Sequence, residues 1–279
     1  MAGFGAYFPV ESDRHNGVSA LTHPLKESPM NISGNTILIT GGGTGIGRAL
    51  AEALHARGNQ IVITGRRADV LKDAAAANPG MAWATLDVAD PTAVAAFGEQ
   101  VVKDHPALNA VILNAGIMKT EDLKAEPFDL ATVEATIATN LLGPIRLTAA
   151  LLPHLTAQPQ ATVMTVTSGL AFIPLTATPT YNATKAALHS WTQSLRHQLR
   201  DTAVEVLELA PPGVATDLMP GHAQNPASMP LADYTAEVMD LIERGETPRG
   251  EILVERVKPL RFAEADGYQA VFEALNGAG

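Results

Sequence analysis

The stretch "PTYNATKAALHS", residues 179–190, places Tyr181 and Lys185 four positions apart in an otherwise ordinary alanine-containing helical pattern. At 3.6 residues per turn, side chains at i and i+4 stand over one another, so the ammonium can lie near the phenol oxygen. A fixed cation favours the phenolate and is expected to draw the tyrosine from its usual value near ~10 toward the range of a working acid/base group. The pattern is short, and a packed tyrosine beside a solvated lysine is the commoner meaning of it. The rest of the chain has to decide.

A second stretch with chemical content is "TILITGGGTGIGRALAEAL", residues 36–54, which runs from a strand pattern straight into a helix pattern. Gly41 lets the chain turn sharply, and Gly45 and Gly47 remove side chains where backbone amides must approach a pyrophosphate and where helix meets sheet. The helix N-terminus favours the anion. The next strand ends "VITGRR", with Gly65 where an NAD site usually carries an acid for the ribose hydroxyls, followed by Arg66 and Arg67. Forked guanidinium donors suit a 2′-phosphate, so NADP(H) is the expected coenzyme, with NAD the alternative.

These residues must be carried by a repeating framework. From Asn35 onward, short apolar runs at 36–40, 60–64, 82–86, 109–114, 162–168, 204–209 and 251–254 alternate with helical patterns. Most are apolar on both faces, as strands covered on two sides should be. Asp90 before Pro91 reads as a helix start, and "NPG" at 78–80 as a stop. The expectation is an α/β fold: a doubly wound, seven-stranded parallel sheet of Rossmann type with helices on both faces, occupying 33–279 as one domain. Residues 1–32, with prolines at 9, 24 and 29, read as a flexible N-terminal extension, and Met30 as an alternative start. Ligands in such sheets bind at the C-terminal strand edge.

The 279 residues are 46% hydrophobic, enough for a large core, and carry a net charge of −10. Scattered basic residues in an acidic chain favour no nucleic-acid partner. With no cysteine there is neither disulfide nor thiolate chemistry, which suits a reducing compartment and an expected cytoplasmic location. The first residues lack the pattern of an export signal, no run approaches the ~18 uninterrupted apolar residues of a membrane span, and the histidines lack metal-ligand spacing.

With these features in place, the sequence resembles the short-chain dehydrogenase/reductase family over essentially everything after residue 33, in particular its DltE-like branch. Thr40 to Gly47, including Thr44 and Ile46, match the family's glycine loop; Asp87 and Val88 match its adenine-side pair; Asn114, Ala115 and Gly116 match the motif that steadies the fourth strand. Asn140, Ser168, Tyr181 and Lys185 match the four catalytic positions in order. The resemblance implies that Tyr181 exchanges a proton with a carbonyl or alcohol oxygen and that Lys185 holds the nicotinamide ribose and keeps the tyrosine acidic. It also implies that Ser168 hydrogen-bonds the substrate oxygen and that Asn140 holds a water on the proton route from Lys185. After the sixth strand this chain reads Pro211, Pro212, Gly213, Val214, Ala215, Thr216; aligned on Pro211 and Thr216, a proline replaces the family's glycine, and Val214 and Thr216 are expected to face the carboxamide. A homodimer or homotetramer built partly on the helices carrying Asn140 and Tyr181 is implied as well.

His189 and Trp191 are expected to pack along their helix or against a partner subunit. The segment 216–235, with Met219 and Met229, reads as a long cover over the substrate, and Gly169, Leu170, Phe172 and Ile173 after Ser168 suggest a mostly apolar pocket for a small molecule. The function expected is interconversion of a carbonyl and a secondary alcohol by hydride transfer. A catalytically silent nucleotide-binding regulator and a 3-oxoacyl reductase acting on an acyl carrier protein are the rival readings.

Overall fold

The computed structural model describes residues 31–277. The expected extension at 1–32 therefore lies outside the described residues except for Asn31 and Ile32, whose carbonyls accept from Asn35 and Asn59 side chains.

Seven parallel strands form one sheet in the order β3-β2-β1-β4-β5-β6-β7. They are β1 (Thr36–Thr40), β2 (Gln60–Gly65), β3 (Ala82–Thr85), β4 (Leu108–Leu113), β5 (Ala161–Val166), β6 (Val204–Leu209) and β7 (Glu251–Ile252). Between them run α1 (Gly45–His55), α2 (Ala68–Ala77), α3 (Pro91–Asp104), α4 (Leu130–Ile137), α5 (Gly143–Ala157), α6 (Pro179–Gln198) and α7 (Leu231–Glu243). Three short helices, α8 (Lys258–Arg261), α9 (Ala263–Asp266) and α10 (Tyr268–Asn276), end the described chain. The strand order reverses between β1 and β4, which opens a crevice at their C-terminal ends.

Alternation along the strands fills both faces. Ile37 and Ile39 of β1 join Leu50 and Leu54 of α1 and Val238 and Ile242 of α7, while Leu38 joins Val101 of α3 and Leu147 and Leu151 of α5. Because each strand is covered on two sides, its sequence is apolar at successive positions. The α3 start follows its sequence signal: the Asp90 carboxylate accepts from Thr92 N at 2.8 Å and Ala93 N at 3.1 Å, with Pro91 in the first turn.

Two elements differ from expectation. The cover segment ends at residue 230, because Leu231–Tyr234 form the first turn of α7 and Tyr234 is fully buried beneath it. Met229 is likewise a core residue, in a parallel bridge with Val214, so its burial takes it out of the expected cover. The other difference is the helical run carrying Asn140, where a single wide π turn, Ala138–Leu142, separates α4 from α5. The whole run Leu130–Ala157 is long and apolar enough to cross a membrane by length and composition, but here it packs on α3, α6 and the sheet.

The α3–α5 contact is close. A Cβ on Gly98 would stand 2.7 Å from the Cβ of Ala150. Gly98→Leu should overpack this seam and lower unfolding free energy by about 1–3 kcal/mol, read as a lower urea midpoint at unchanged slope.

Candidate active site

The glycine loop is shaped by contacts that only glycine permits. Gly41 and Gly45 have φ of 68° and 54°, and a Cβ on Gly47 would lie 2.4 Å from both the Gly41 carbonyl and the Asn114 side chain. Asn114 fastens the loop to β4: its amide donates to Thr40 O at 3.0 Å and to Gly41 O at 3.3 Å. In return, the Thr40 hydroxyl accepts from the backbone amides of Asn114 and Ala115, both at 3.0 Å. Thr44 precedes α1 without a side-chain cap, which leaves the first amides of the helix for another acceptor.

From this loop an open cleft runs along the strand ends. Gly65, Arg66, Arg67, Asp87 and Val88 line one end, and Gly116, Ile117 and Thr139 the other. Both arginines are exposed at the cleft, and no carboxylate stands at Gly65. A cradle with no room for a Cβ at Gly41 or Gly47, an uncapped helix start and two guanidinium groups fit a phosphate-bearing dinucleotide.

The four polar residues expected at the nicotinamide end converge. Lys185 Nζ donates to Val166 O at 2.7 Å and stands 5.6 Å from the centre of the Tyr181 ring. A Cβ on Gly116 would lie 3.4 Å from Asn140 Oδ1 and 3.8 Å from Lys185 Nζ, which puts Gly116 at the meeting point of cleft and polar cluster. Asn140 is fully buried and clamps Ile117, accepting from its amide at 2.9 Å and donating to its carbonyl at 2.8 Å, with a further bond to Thr184 at 3.3 Å. The wide turn that carries it belongs to a class of helical irregularity found often at functional sites. At the start of α6, Glu121 reaches across from the β4–α4 loop and accepts from Thr180 N at 3.0 Å and from its hydroxyl at 2.6 Å.

Electrostatics correct one expectation. Burial pushes the Tyr181 phenol up to about 12, and the Ser168 hydroxyl opposes that rise only in part. Burial also pulls the Lys185 ammonium down to about 8, against the attraction of the Glu208 carboxylate. Desolvation sets the direction, so the pKa of the phenol rises where the four-residue spacing led us to expect it drawn down.

A profile described as short chain dehydrogenase matches residues 35–226. The chain is 41% identical over 251 residues to an uncharacterized oxidoreductase, DltE, of Bacillus subtilis (strain 168), covering 88% of this chain and 98% of that one. The chain belongs to the short-chain dehydrogenase family. It is also 31% identical over 218 residues to an uncharacterized oxidoreductase of Myxococcus xanthus (strain DK1622), covering 77% of this chain and 84% of the other. Among solved structures, a short-chain dehydrogenase from Burkholderia cenocepacia J2315 in complex with NADP superposes with a TM-score of 0.76 at 23% identity, covering 88% of this chain and 99% of that one. One from Burkholderia phymatum in complex with NAD gives 0.72 at 20% identity, covering 89% and 97%. These two likenesses establish the shared fold.

Within this short-chain dehydrogenase, several expected site residues sit differently from the simplest picture. Ile46 packs half-buried against the core, and Val214 is buried in it. Thr216 stands against the glycine loop, 3.5 Å from where a Gly45 Cβ would be. Pro211 binds the far side, its carbonyl accepting from Gly169 N at 2.8 Å. Gly169 does not face a pocket: a Cβ there would meet Leu260 at 2.6 Å and Val257 at 2.9 Å. Phe172 is also turned to the C-terminal segment, edge-on to His189 at 4.9 Å and beneath the Arg261 guanidinium at 4.8 Å. Leu170 and Met219 remain half-exposed as candidate pocket walls. Ile173 is buried.

His189 packs inward, its Nδ1 2.8 Å from a Glu208 carboxylate oxygen, and Trp191 lies half-buried on the α3–α5 side. His189, Glu208 and Glu251 offer ligand atoms within 4.8 Å of one another, a grouping that spacing along the chain could not reveal because it spans α6, β6 and β7. Those carboxylates already have partners. Arg261 forks onto Glu251 at 2.8 and 2.9 Å, and the Thr167 hydroxyl donates to Glu208 at 2.6 Å.

Gly47→Ala drives a methyl group into the Gly41 carbonyl and the Asn114 side chain. It should weaken NADPH binding at least tenfold, about 1.4 kcal/mol, in a fluorescence titration.

Proposed function

We propose that this short-chain dehydrogenase uses NADP(H) to interconvert a carbonyl and a secondary alcohol on an apolar small molecule. The observation that carries this reading is a buried Tyr181 phenol joined to Ser168 and backed by Lys185, beside Gly116 of the dinucleotide-shaped cleft. Bound coenzyme supplies the hydride and, in its oxidised form, a further positive charge near the phenol.

The chain's own groups do the rest. The Ser168 hydroxyl and the Tyr181 phenol hold the carbonyl oxygen from two sides, and Tyr181 gives its proton as negative charge develops there. Lys185, fixed by the Val166 carbonyl, donates to the ribose and stabilises the phenolate left behind. Asn140 Oδ1 has one bond to Ile117 and a second lone pair, which suits it to hold a water leading from Lys185 to solvent. Gly65, Arg66 and Arg67 favour a 2′-phosphate over a bare ribose, so NADP(H) is preferred and NAD is the poorer coenzyme. Leu170 and Met219 give the pocket its apolar character. Exposed Leu130, Ile137 and Leu142 along the Asn140 run support a homodimer or homotetramer, and the acidic, cysteine-free chain supports a cytoplasmic location.

A screen of ketones and alcohols with both coenzymes, followed by nicotinamide absorbance, tests the reading; failure to turn over any of them with either coenzyme counts against it. Tyr181→Phe should abolish turnover, by at least a thousandfold, while the NADPH dissociation constant stays within threefold; retained turnover removes the assigned proton donor. Replacing Arg66 and Arg67 together by alanine should lower kcat/KM with NADPH at least thirtyfold and leave that with NADH within threefold. The sign of the pH dependence follows from burial: Lys185 keeps its proton below about 8 and loses it above, so reduction should be level through neutral pH and decline on the alkaline side of that value.

A further inference from the structure

β6 is apolar where it crosses the core, yet Glu208 stands in it with no exposed surface. Its neighbour across the sheet, in register, is Glu251. Two carboxylates side by side in an interior are unfavourable unless each has its own partner. Glu251 has the fork of Arg261. Arg196 faces the same region, but its guanidinium donates to backbone, to Val206 O at 2.8 Å and Gly250 O at 3.2 Å. Glu208 is left to His189 from α6 and to the Thr167 hydroxyl beyond β5.

Those two partners have a specific address. Thr167 lies between Val166, whose carbonyl receives Lys185, and Ser168, which meets Tyr181. His189 lies one helical turn beyond Lys185 on the same face of α6. One carboxylate thus joins the end of β5 to α6 where the reacting groups of both elements sit. Core packing does not ask for it, since a leucine at 208 would serve the apolar strand.

Resting on the function proposed above, we propose that Glu208 is a positioning residue for that chemistry: held by Thr167 and His189, its carboxylate sets the spacing between Ser168 on the strand side and Tyr181 and Lys185 on the helix side. The attraction of Glu208 for the Lys185 ammonium acts in the same sense, helping to keep the lysine charged.

The test compares Glu208→Gln, Thr167→Val and Thr167→Ser with the parent and with Tyr181→Phe, using NADPH and 9,10-phenanthrenequinone as probes. Glu208→Gln and Thr167→Val should lower kcat at least tenfold with the NADPH dissociation constant within threefold, and Thr167→Ser, which restores the hydroxyl, should return kcat to within threefold of the parent. A second readout needs no turnover. The His189 Nδ1 proton, assigned by its loss in His189→Gln, should give a downfield resonance that moves on adding NADP⁺ and disappears in Glu208→Gln. Parent-like kcat in both Glu208→Gln and Thr167→Val, or a His189 resonance indifferent to NADP⁺, overturns the assignment. If Glu208→Gln does not fold, the two Thr167 variants decide; if the quinone is not reduced, the resonance decides. Turnover surviving in Tyr181→Phe instead defeats the proton-donor reading, whereas an inactive Tyr181→Phe beside a fully active Glu208→Gln defeats only the role given to Glu208.

Discussion

The constraint on which the site depends is the burial of an ammonium. Lys185 lies almost wholly inside the protein, and an isolated charge of that kind is strongly disfavoured in low dielectric. Three features make the position tolerable. A carbonyl at the end of β5 takes one donor, a carboxylate on β6 lies near enough to oppose the loss of the proton, and the cleft beside Gly116 leaves a polar boundary on the remaining side. Each comes from a different element, so the position of the lysine fixes α6 against β5, β6 and the loop after β4 together. The phenol one turn earlier inherits that environment, including its dryness. Burial is what pushes its pKa up to about 12.

Close approach of backbone governs the other half of the site. Gly47, Gly41 and Asn114 meet at distances that exclude a side chain, and Thr40 and Asn114 exchange hydrogen bonds that hold the loop to β4. The crevice opens at β1 and β4 because the strand order reverses there. The same two strands therefore deliver the glycine loop and, through Gly116 and Ile117, the clamp on Asn140.

What the sequence made legible is what is decided locally. All seven strands appear within a residue or two of their apolar runs, β7 being the shortest because it pairs with β6 over two residues. The glycine loop, the Asp90 cap and the turn-spaced Tyr181 and Lys185 are also local, and they sit as their spacing implies. Illegible were contacts made between distant segments. Nothing near Gly169 or Phe172 announces that residues 257–261 pack on them, and nothing in "VEVLEL" tells which glutamate faces His189. Alternation does not decide it, because Glu208 shares a face with Val204 and Val206 and Glu205 shares the other with Leu207 and Leu209, both faces being core. The π turn was hidden because its residues read as ordinary helix; the Asn140–Ile117 clamp sits within it, and Pro144 has no N–H for the Asn140 carbonyl.

The misread phenol has a broader consequence for how such a pair is read. Four-residue spacing predicts proximity, but the sign of a pKa shift depends on how much water the fold removes from both partners. At Tyr181 burial is the larger effect, and at Lys185 it is again the larger effect, in the opposite direction on the scale because the charged form is the protonated one. The two groups are consequently both pressed toward neutrality: a phenol keeping its proton and an amine nearer to losing one. Under the function proposed above, a phenol that keeps its proton is a weaker acid at rest, and the neighbouring ammonium offsets that cost only as the phenolate forms. Stabilisation that appears only as a reaction proceeds is the kind that lowers a barrier.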